Sequence, residues 1–538
     1  MTTLDWAVVV LYFVLVFVVA AVVTRRGKST ESADGFFLAG RNTGWFIVGA
    51  SLFASNIGAE HLVGLAGTGA ATGIAVAQFE IIAGLVLLLL GWFFVPFYLR
   101  SGVFTMPEFL ERRYSQGPRM YLAIISVVSY VLTKISVTVA AGGIVFEALM
   151  GINFWTGATV VVVATGIYTL FGGLRAVLYT DAIQMFVLLI GAMVVTVLGL
   201  NALGGWDVLV ETVGRDRFDL WQPSSHPDFP WTGILFGAPI LGIWYWCTDQ
   251  FIVQRVLAAR DLVEARRATI FAGFLKQTPL FLFVLPGVIA YALTQTGQLQ
   301  LDQPDHALSA LAAALLPTGL RGVLVAGLLA ALMSSLSSVF NSCATLVTMD
   351  LYKHWRPRAT DHQLVVTGQI ATVILVLFGL AWIPFMQLIS GQIYTYLQSV
   401  QAYISPPIAA VFLVGLLWPR ANAKGAITAL AIGFVLGFGR LILELNAPIA
   451  WGPAAMLAGI NFLHFAVLLF AISTVALVIV SLATAPPDRA RLRDLTIATL
   501  KPAQPAERAH EHAARRGDVA LSLLLLLVIA AIWTIFSN

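Results

Sequence analysis

Fourteen apolar runs, each near the length that crosses a bilayer, leave this chain few folds to choose from. They fall at about 6–24, 46–66, 74–97, 119–148, 153–171, 180–200, 231–251, 270–293, 318–348, 364–386, 391–418, 424–443, 456–484 and 518–536. The hydrocarbon core is about 30 Å thick, so a spanning helix needs about 20 apolar residues. Lipid offers no partner to backbone amides, so runs of this length are expected as helices. Composition agrees: 59% of the 538 residues are hydrophobic and only 11% are charged, against about 25% charged in soluble domains. The expected class is an all-α polytopic membrane protein with about fourteen transmembrane helices. A large soluble enzyme is a poor alternative.

The basic residues sort by loop. Counting alternate loops as cytoplasmic puts Arg112, Arg113, Arg119 and Arg175 on one side, with Arg255, Arg260, Arg266 and Arg267. Lys353, Arg356, Arg358, Arg420 and Lys424 join them, as do seven Arg or Lys in the 486–517 loop. The longest opposing loop, 201–230, has only Arg215 and Arg217. Lys and Arg concentrate on the cytoplasmic side, so the net charge of +4 reports orientation rather than nucleic-acid binding. The first run lacks a basic stretch before it and is followed by Arg25, Arg26 and Lys28. That order predicts a retained helix, not a cleaved signal. An even span count then places both termini outside, and the pattern fits a bacterial inner membrane. Cys247 and Cys343, the only cysteines, lie in apolar surroundings, against a disulfide scaffold or a thiolate metal centre. His510 and His512, in the polar 486–517 linker, have no evident third ligand to make a metal site.

One run is unlike the others. Between Gly49 and Gly69 the apolar sequence is interrupted by Ser51, Ser55, Asn56, Gly58, Glu60 and His61. Polar and ionisable groups at membrane depth are costly and face a cavity or a protein interior. A glycine-containing polar break is also how a transporter helix exposes carbonyls to ions. A second candidate break, Gly237–Gln250, lies in the other half of the core and points to an inverted repeat. The chain reads as a secondary transporter.

Other polar residues have two readings each. Ser334 and Ser335, on a long apolar helix, suit cation ligation or simply close helix packing. Asp181 begins an apolar span, where a helix cap or a cytoplasmic anchor is the plain role. Glu80 and Lys276 fit an interhelical ion pair, or a snorkelling Lys276, and His61 fits a bond to a nearby carbonyl. No Walker motif and no persuasive hydrolase centre occurs, so no enzyme is expected.

Six segments together carry a family resemblance: ASLFASNIGAEHLVGLAG (50–67), GGLRAVLYTDAIQ (172–184), WYWCTDQFIVQR (244–255), ALMSSLSS (331–338), MDLYK (349–353) and SPPIAAVF (405–412). In this order they resemble the sodium/solute symporter family, nearest its sodium/glucose (galactose) cotransporter branch, from about residue 35 to 430. The resemblance implies a five-plus-five inverted-repeat transporter core with peripheral helices. Its divisions would be 1–45, a peripheral first helix and cytoplasmic loop; 46–200, the first repeat; and 201–230, an extracytoplasmic loop. Then come 231–418, the second repeat; 419–485, peripheral helices; 486–517, a cytoplasmic linker; and 518–538, a terminal transmembrane helix.

The resemblance also implies residue roles. A sodium site would use the backbone carbonyls of Ala54, Ile57 and Ala331 with the hydroxyls of Ser334 and Ser335. In relatives with two sodium ions, the second site uses residues matching Asp181, Ser334, Ser337 and Ser338, all present here. Asn56, His61, Glu80, Lys276, Gln398 and Trp246 are implied in sugar binding, Tyr245 as an inner aromatic gate, and Phe79 and Tyr394 as gating or wall aromatics. Convergent polar groups and an aromatic platform are what a hydroxyl-rich ring needs. Gly242 departs from the pattern, standing where familiar sugar-binding members carry a polar side chain. The implied function is sodium-driven symport of a monosaccharide, glucose and/or galactose, by alternating access with one Na+ or two. Alternatives are myo-inositol, another polar metabolite, or a sugar receptor without turnover. The expected partners are the sugar, sodium and the bilayer, with no nucleic acid and no obligatory protein partner.

Overall fold

The computed structural model describes residues 1–26, 32–386, 393–445, 452–500 and 505–537. Lys28, from the first basic cluster, and Lys501, from the linker, lie outside the described residues. Among these residues the chain is helical, its only β pairing an isolated bridge between Thr43 and Ala259. Eleven helices are long and apolar enough to cross a membrane, or twelve if the bent pair Trp45–Asn56 and His61–Thr72 is one span.

The expectation of about fourteen exceeds that count at two places. The runs at 153–171 and 180–200 form one 50-residue helical stretch, Phe154–Leu203, more than twice what a bilayer needs. It is divided at Gly173, whose φ of 56° is open to glycine and strained for other residues. A side chain there is also blocked, because a Cβ would sit 2.6 Å from the carbonyl oxygen of Phe36. The run at 231–251 is instead split into Trp231–Phe236, Ala238–Gly242 and a widened turn, Ile243–Thr248. Asp249 then leaves the helix at φ −81°, ψ 130°, and its carboxylate accepts from the Phe251 amide to cap Gln250–Leu257. Each piece is too short to register as a span.

These two broken segments lie against the most buried helix. Leu320–Thr345, here called the serine helix, is enclosed along almost its whole length. It packs on Phe154–Leu203, on Trp45–Asn56 and on Gln250–Leu257. Peripheral helices show the opposite pattern, with exposed apolar rows such as Leu11, Val14 and Val18 on Thr3–Arg26, and Phe434, Val435 and Phe438 on Ala423–Leu445. Those rows suit a lipid-facing surface. Small residues bring inner helices into backbone contact: a Cβ on Gly69 would lie 2.5 Å from the Val284 carbonyl oxygen.

The polar linker expected over 486–517 ends early, since the terminal helix begins at Pro505 and runs to Ile535. Asp518 on it accepts from Arg267 at 2.9 Å, and the Trp533 indole donates to Gln78 at 2.8 Å. The terminal helix is thereby fastened to Gln78–Leu89 and Leu262–Leu275, the helices that bring in Glu80 and Lys276.

Candidate transport site

The first break frees backbone acceptors. In an uninterrupted helix the Gly58 amide would donate to Ala54 and the His61 amide to Ile57. Here Gly58 N donates to the Asn56 carbonyl at 3.1 Å, and His61 N donates to Gly58 at 3.0 Å. The Ala54 and Ile57 carbonyls therefore lose their helical donors. The serine helix meets this turn directly, with Ser335 Oγ donating to the Ser55 carbonyl at 3.3 Å. Ala331 and Ser334 are buried on the same helix. Oxygen acceptors from a broken helix and hydroxyls from its neighbour form a donor set suited to a hard cation.

Beside this turn lies a buried carboxylate. Asp181 accepts from Ser51 at 2.5 Å, Ser55 at 3.0 Å and Ser334 at 2.7 Å. It is neither a helix cap nor an anchor at an interface, because Gly173 rather than Asp181 divides its helical stretch and its side chain is fully buried. Arg255, also buried, holds its Nε 3.9 Å from the carboxylate and donates to Ser51 at 3.0 Å. Its other nitrogens donate to Ser338 Oγ and the Phe251 carbonyl. Ser337 bonds back to the Ser334 carbonyl at 3.0 Å. Of the four residues named for a second cation, Asp181 and Ser334 touch, while Ser338 is engaged by a guanidinium.

All nine residues expected at a substrate site line one cavity of about 50 Å³: Asn56, His61, Phe79, Glu80, Tyr245, Trp246, Lys276, Tyr394 and Gln398. Lys276 caps the end of Leu262–Leu275, and its ammonium donates to both Glu80 and Asn56. Glu80 also accepts from Tyr394 at 3.3 Å and lies 3.8 Å from His61 Nε2. Asn56 donates to the Tyr245 hydroxyl at 3.1 Å. Lys276 is fully buried rather than snorkelling, so a charged pair at this depth relies on these mutual contacts.

Aromatic rings flank the cavity in two groups. Tyr245 packs edge-on to Trp246 at 5.2 Å, with the Lys276 ammonium 5.5 Å from the Trp246 ring centre. Phe79 meets Tyr394 at 6.2 Å and Phe229 at 6.1 Å, and stacks on Phe462 at 6.5 Å. Gly64 makes room for the second group, because a Cβ there would lie 2.9 Å from Tyr394 Cβ. Sequence reasoning missed two polar cavity residues, Lys134 and Gln401. Lys134 lies in a π-type turn, Tyr130–Ile135, 5.1 Å from the Tyr245 ring. Gln401 had a signal available: it completes the helical series Tyr394, Leu397, Gln398, Gln401, one face of a helix. Arg255, which the loop pattern counts among the cytoplasmic charges, is instead buried beside Asp181.

Two broken helices around a charged cavity, inside a bundle of membrane-length helices, define a polytopic membrane carrier of the secondary-transporter class. Comparison with known proteins supplies the family: the profile described as the sodium:solute symporter family matches residues 36–433. The chain belongs to that family and is a sodium-coupled transporter, not an enzyme. It is 39% identical to the sodium/glucose cotransporter 1 of Oryctolagus cuniculus, over 90% of this chain and 80% of the relative. It is 40% identical to the sodium/myo-inositol cotransporter 2 of the same organism, over 91% of this chain and 78% of the relative. Among solved structures, a Na+-coupled sialic acid symporter in a substrate-bound outward-open state superposes with a TM-score of 0.78, at 20% identity. That match covers 90% of this chain and 99% of the other and shows the fold.

Proposed function

We propose that this protein carries a monosaccharide, glucose or galactose, across a bacterial inner membrane together with sodium. The observation that carries the reading is the single cavity in which Asn56, His61, Glu80, Lys276 and Gln398 converge between two aromatic layers. Carboxylate, ammonium and amide groups match the donors and acceptors of ring hydroxyls, and Trp246 and Tyr245 offer faces for the apolar side of the ring. The cavity has room for a few waters. Admitting a sugar therefore requires the Lys276–Glu80–Asn56 contacts to turn towards substrate and one aromatic layer to part. Phe79 and Tyr394 form the outer layer, and Tyr245 with Trp246 the inner one.

Sodium binds the carbonyls of Ala54, Ile57 and Ala331 and the hydroxyls of Ser334 and Ser335. Asn56 stands between Ala54 and Ile57 in the same break, so ordering that turn for sodium orders Asn56 for sugar. The coupling is reciprocal: each ligand raises affinity for the other by the same factor. A second sodium at Asp181, Ser334, Ser337 and Ser338 requires Arg255 to leave Ser338, so the first site is the primary one. The two repeats, 46–200 and 231–418, each contribute one broken helix, and one chain contains the whole path. Both termini are extracytoplasmic, on the distribution of basic loops.

A second reading is transport of myo-inositol. It is favoured by the 40% identical relative named for that substrate and by Gly242, which removes one polar contact from the wall. Purified protein in proteoliposomes, offered radiolabelled glucose under an inward sodium gradient or a matched potassium gradient, tests the proposal. Concentrative uptake with sodium alone supports it. Sodium-driven uptake of myo-inositol without glucose uptake moves the assignment to the second reading.

A further inference from the structure

The polar groups of the cavity are not evenly distributed. Those on Gln78–Leu89 and at Lys276 bond one another, while the wall made by Ile82, Ala83, Ala238, Leu241 and Gly242 is apolar. A Cβ on Gly242 would stand 3.0 Å from the Val86 side chain, so a larger residue there would require Val86 to shift. The helix Ile393–Leu417 packs against Ala238–Gly242 and presents Tyr394, Leu397, Gln398 and Gln401 to the cavity. Tyr394 is bonded to Glu80 and to Gln398. Gln401 is different: it is only 8% exposed, lines the cavity, and its amide bonds no other described residue. With no protein partner and access to the cavity, that amide is left to bond whatever fills it.

We propose that Gln401 is a substrate-contacting residue that sets specificity, its side-chain amide binding two adjacent hydroxyls on the part of the ring nearest Gly242. An amide offers one acceptor and one donor edge in a fixed plane. Neighbouring hydroxyls can answer with one donor and one acceptor. A ring oxygen beside a methylene cannot, since it only accepts. The contact supplies from one helix the polar recognition that Gly242 lacks on another. The inference rests on the cavity being the sugar site.

Sodium-driven uptake of glucose and of its 2-, 3-, 4- and 6-deoxy analogues, by the native protein and by Gln401→Leu and Gln401→Met, tests the contact. Comparing analogue with parent sugar inside each variant cancels differences in the amount of folded protein. The native protein should lose roughly ten-fold in kcat/KM for deoxygenation at two neighbouring carbons, the size of one neutral hydrogen bond. Both variants should erase that discrimination while retaining the penalties at the other positions. Unchanged analogue ratios in both variants overturn the role of Gln401 and leave the sugar site standing. Absence of sodium-driven uptake of any of these sugars by the native protein overturns the sugar reading and this inference with it.

Discussion

The Arg255 guanidinium lies 3.9 Å from the Asp181 carboxylate, and Ser51 joins the two, accepting from Arg255 at 3.0 Å and donating to Asp181 at 2.5 Å. The pair ties Gln250–Leu257, the continuation of the second broken helix, to the helix that ends at the first break and, through Ser334, to the serine helix. Three helical elements thus meet at one buried ion pair.

Removing one charge should therefore harm the fold more than removing both. Asp181→Asn leaves a buried guanidinium without its counter-charge, a change typically destabilising by about 3–5 kcal/mol. Thermal unfolding in lipid nanodiscs should show a clear drop for Asp181→Asn and partial recovery in Asp181→Asn/Arg255→Gln. Equal losses in both would mean that the pair does not hold these helices together.

Glu80 and Lys276 pose a different question, since an ion pair could be structural only. In Glu80→Gln/Lys276→Met both charges go, so stability should be largely retained. Glucose uptake should nevertheless fall by two orders of magnitude or more, about the loss expected when several substrate hydroxyls lose their partners. Near-native uptake by the double variant would assign the pair to scaffolding.

Ser334→Ala and Ser335→Ala test the sodium assignment. Each removes one oxygen from the set, and the sodium concentration for half-maximal uptake should rise roughly ten-fold, the weight of one polar ligand. Glucose KM should rise at low sodium and return towards the native value when sodium saturates, as linkage requires. A KM shift that persists at saturating sodium would place these serines outside the ion site.

Acid pH should loosen the loop over the outer aromatic layer. His226 accepts from the Asp228 amide at 3.2 Å and the Phe229 amide at 3.0 Å through Nδ1, and stacks on Phe229, which touches Phe79. Burial lowers the His226 pKa below its usual 6.5, against the smaller opposing effect of Asp228. A histidine that is harder to protonate in the folded loop contributes stability at full strength above pH 6.5, and that stability declines as pH falls below it. Amide protection at Asp228 and Phe229, taken relative to the intrinsic exchange rate at each pH, should fall below pH 6.5 in the native protein, and His226→Gln should flatten that dependence.

Much of this site was legible because its residues violate the membrane rule. Asn56, His61, Glu80 and Lys276 are polar groups inside apolar runs, and they meet in one cavity. The break at residues 56–58 followed from its glycine and polar neighbours. Other features carried no local signal. The division at Gly173 falls in the gap between the runs at 153–171 and 180–200, but nothing local announced that the Phe36 carbonyl would close the position to a side chain. Arg255 and Asp181 are far apart in sequence, so an arginine counted among cytoplasmic charges became a buried partner only through folding. Gln401 looked like an ordinary polar residue on a long helix until its neighbours were placed.

The most direct test runs the coupling backwards. Proteoliposomes with equal sodium on both sides and the membrane potential clamped would receive an inward glucose gradient, and entry of 22Na+ would be followed. A carrier whose sodium and sugar sites share the first broken helix must move sodium inward with the sugar, giving transient sodium accumulation above equilibrium that Glu80→Gln/Lys276→Met abolishes. Sodium entry indifferent to the glucose gradient, in protein that does take up glucose, would contradict coupling through this site.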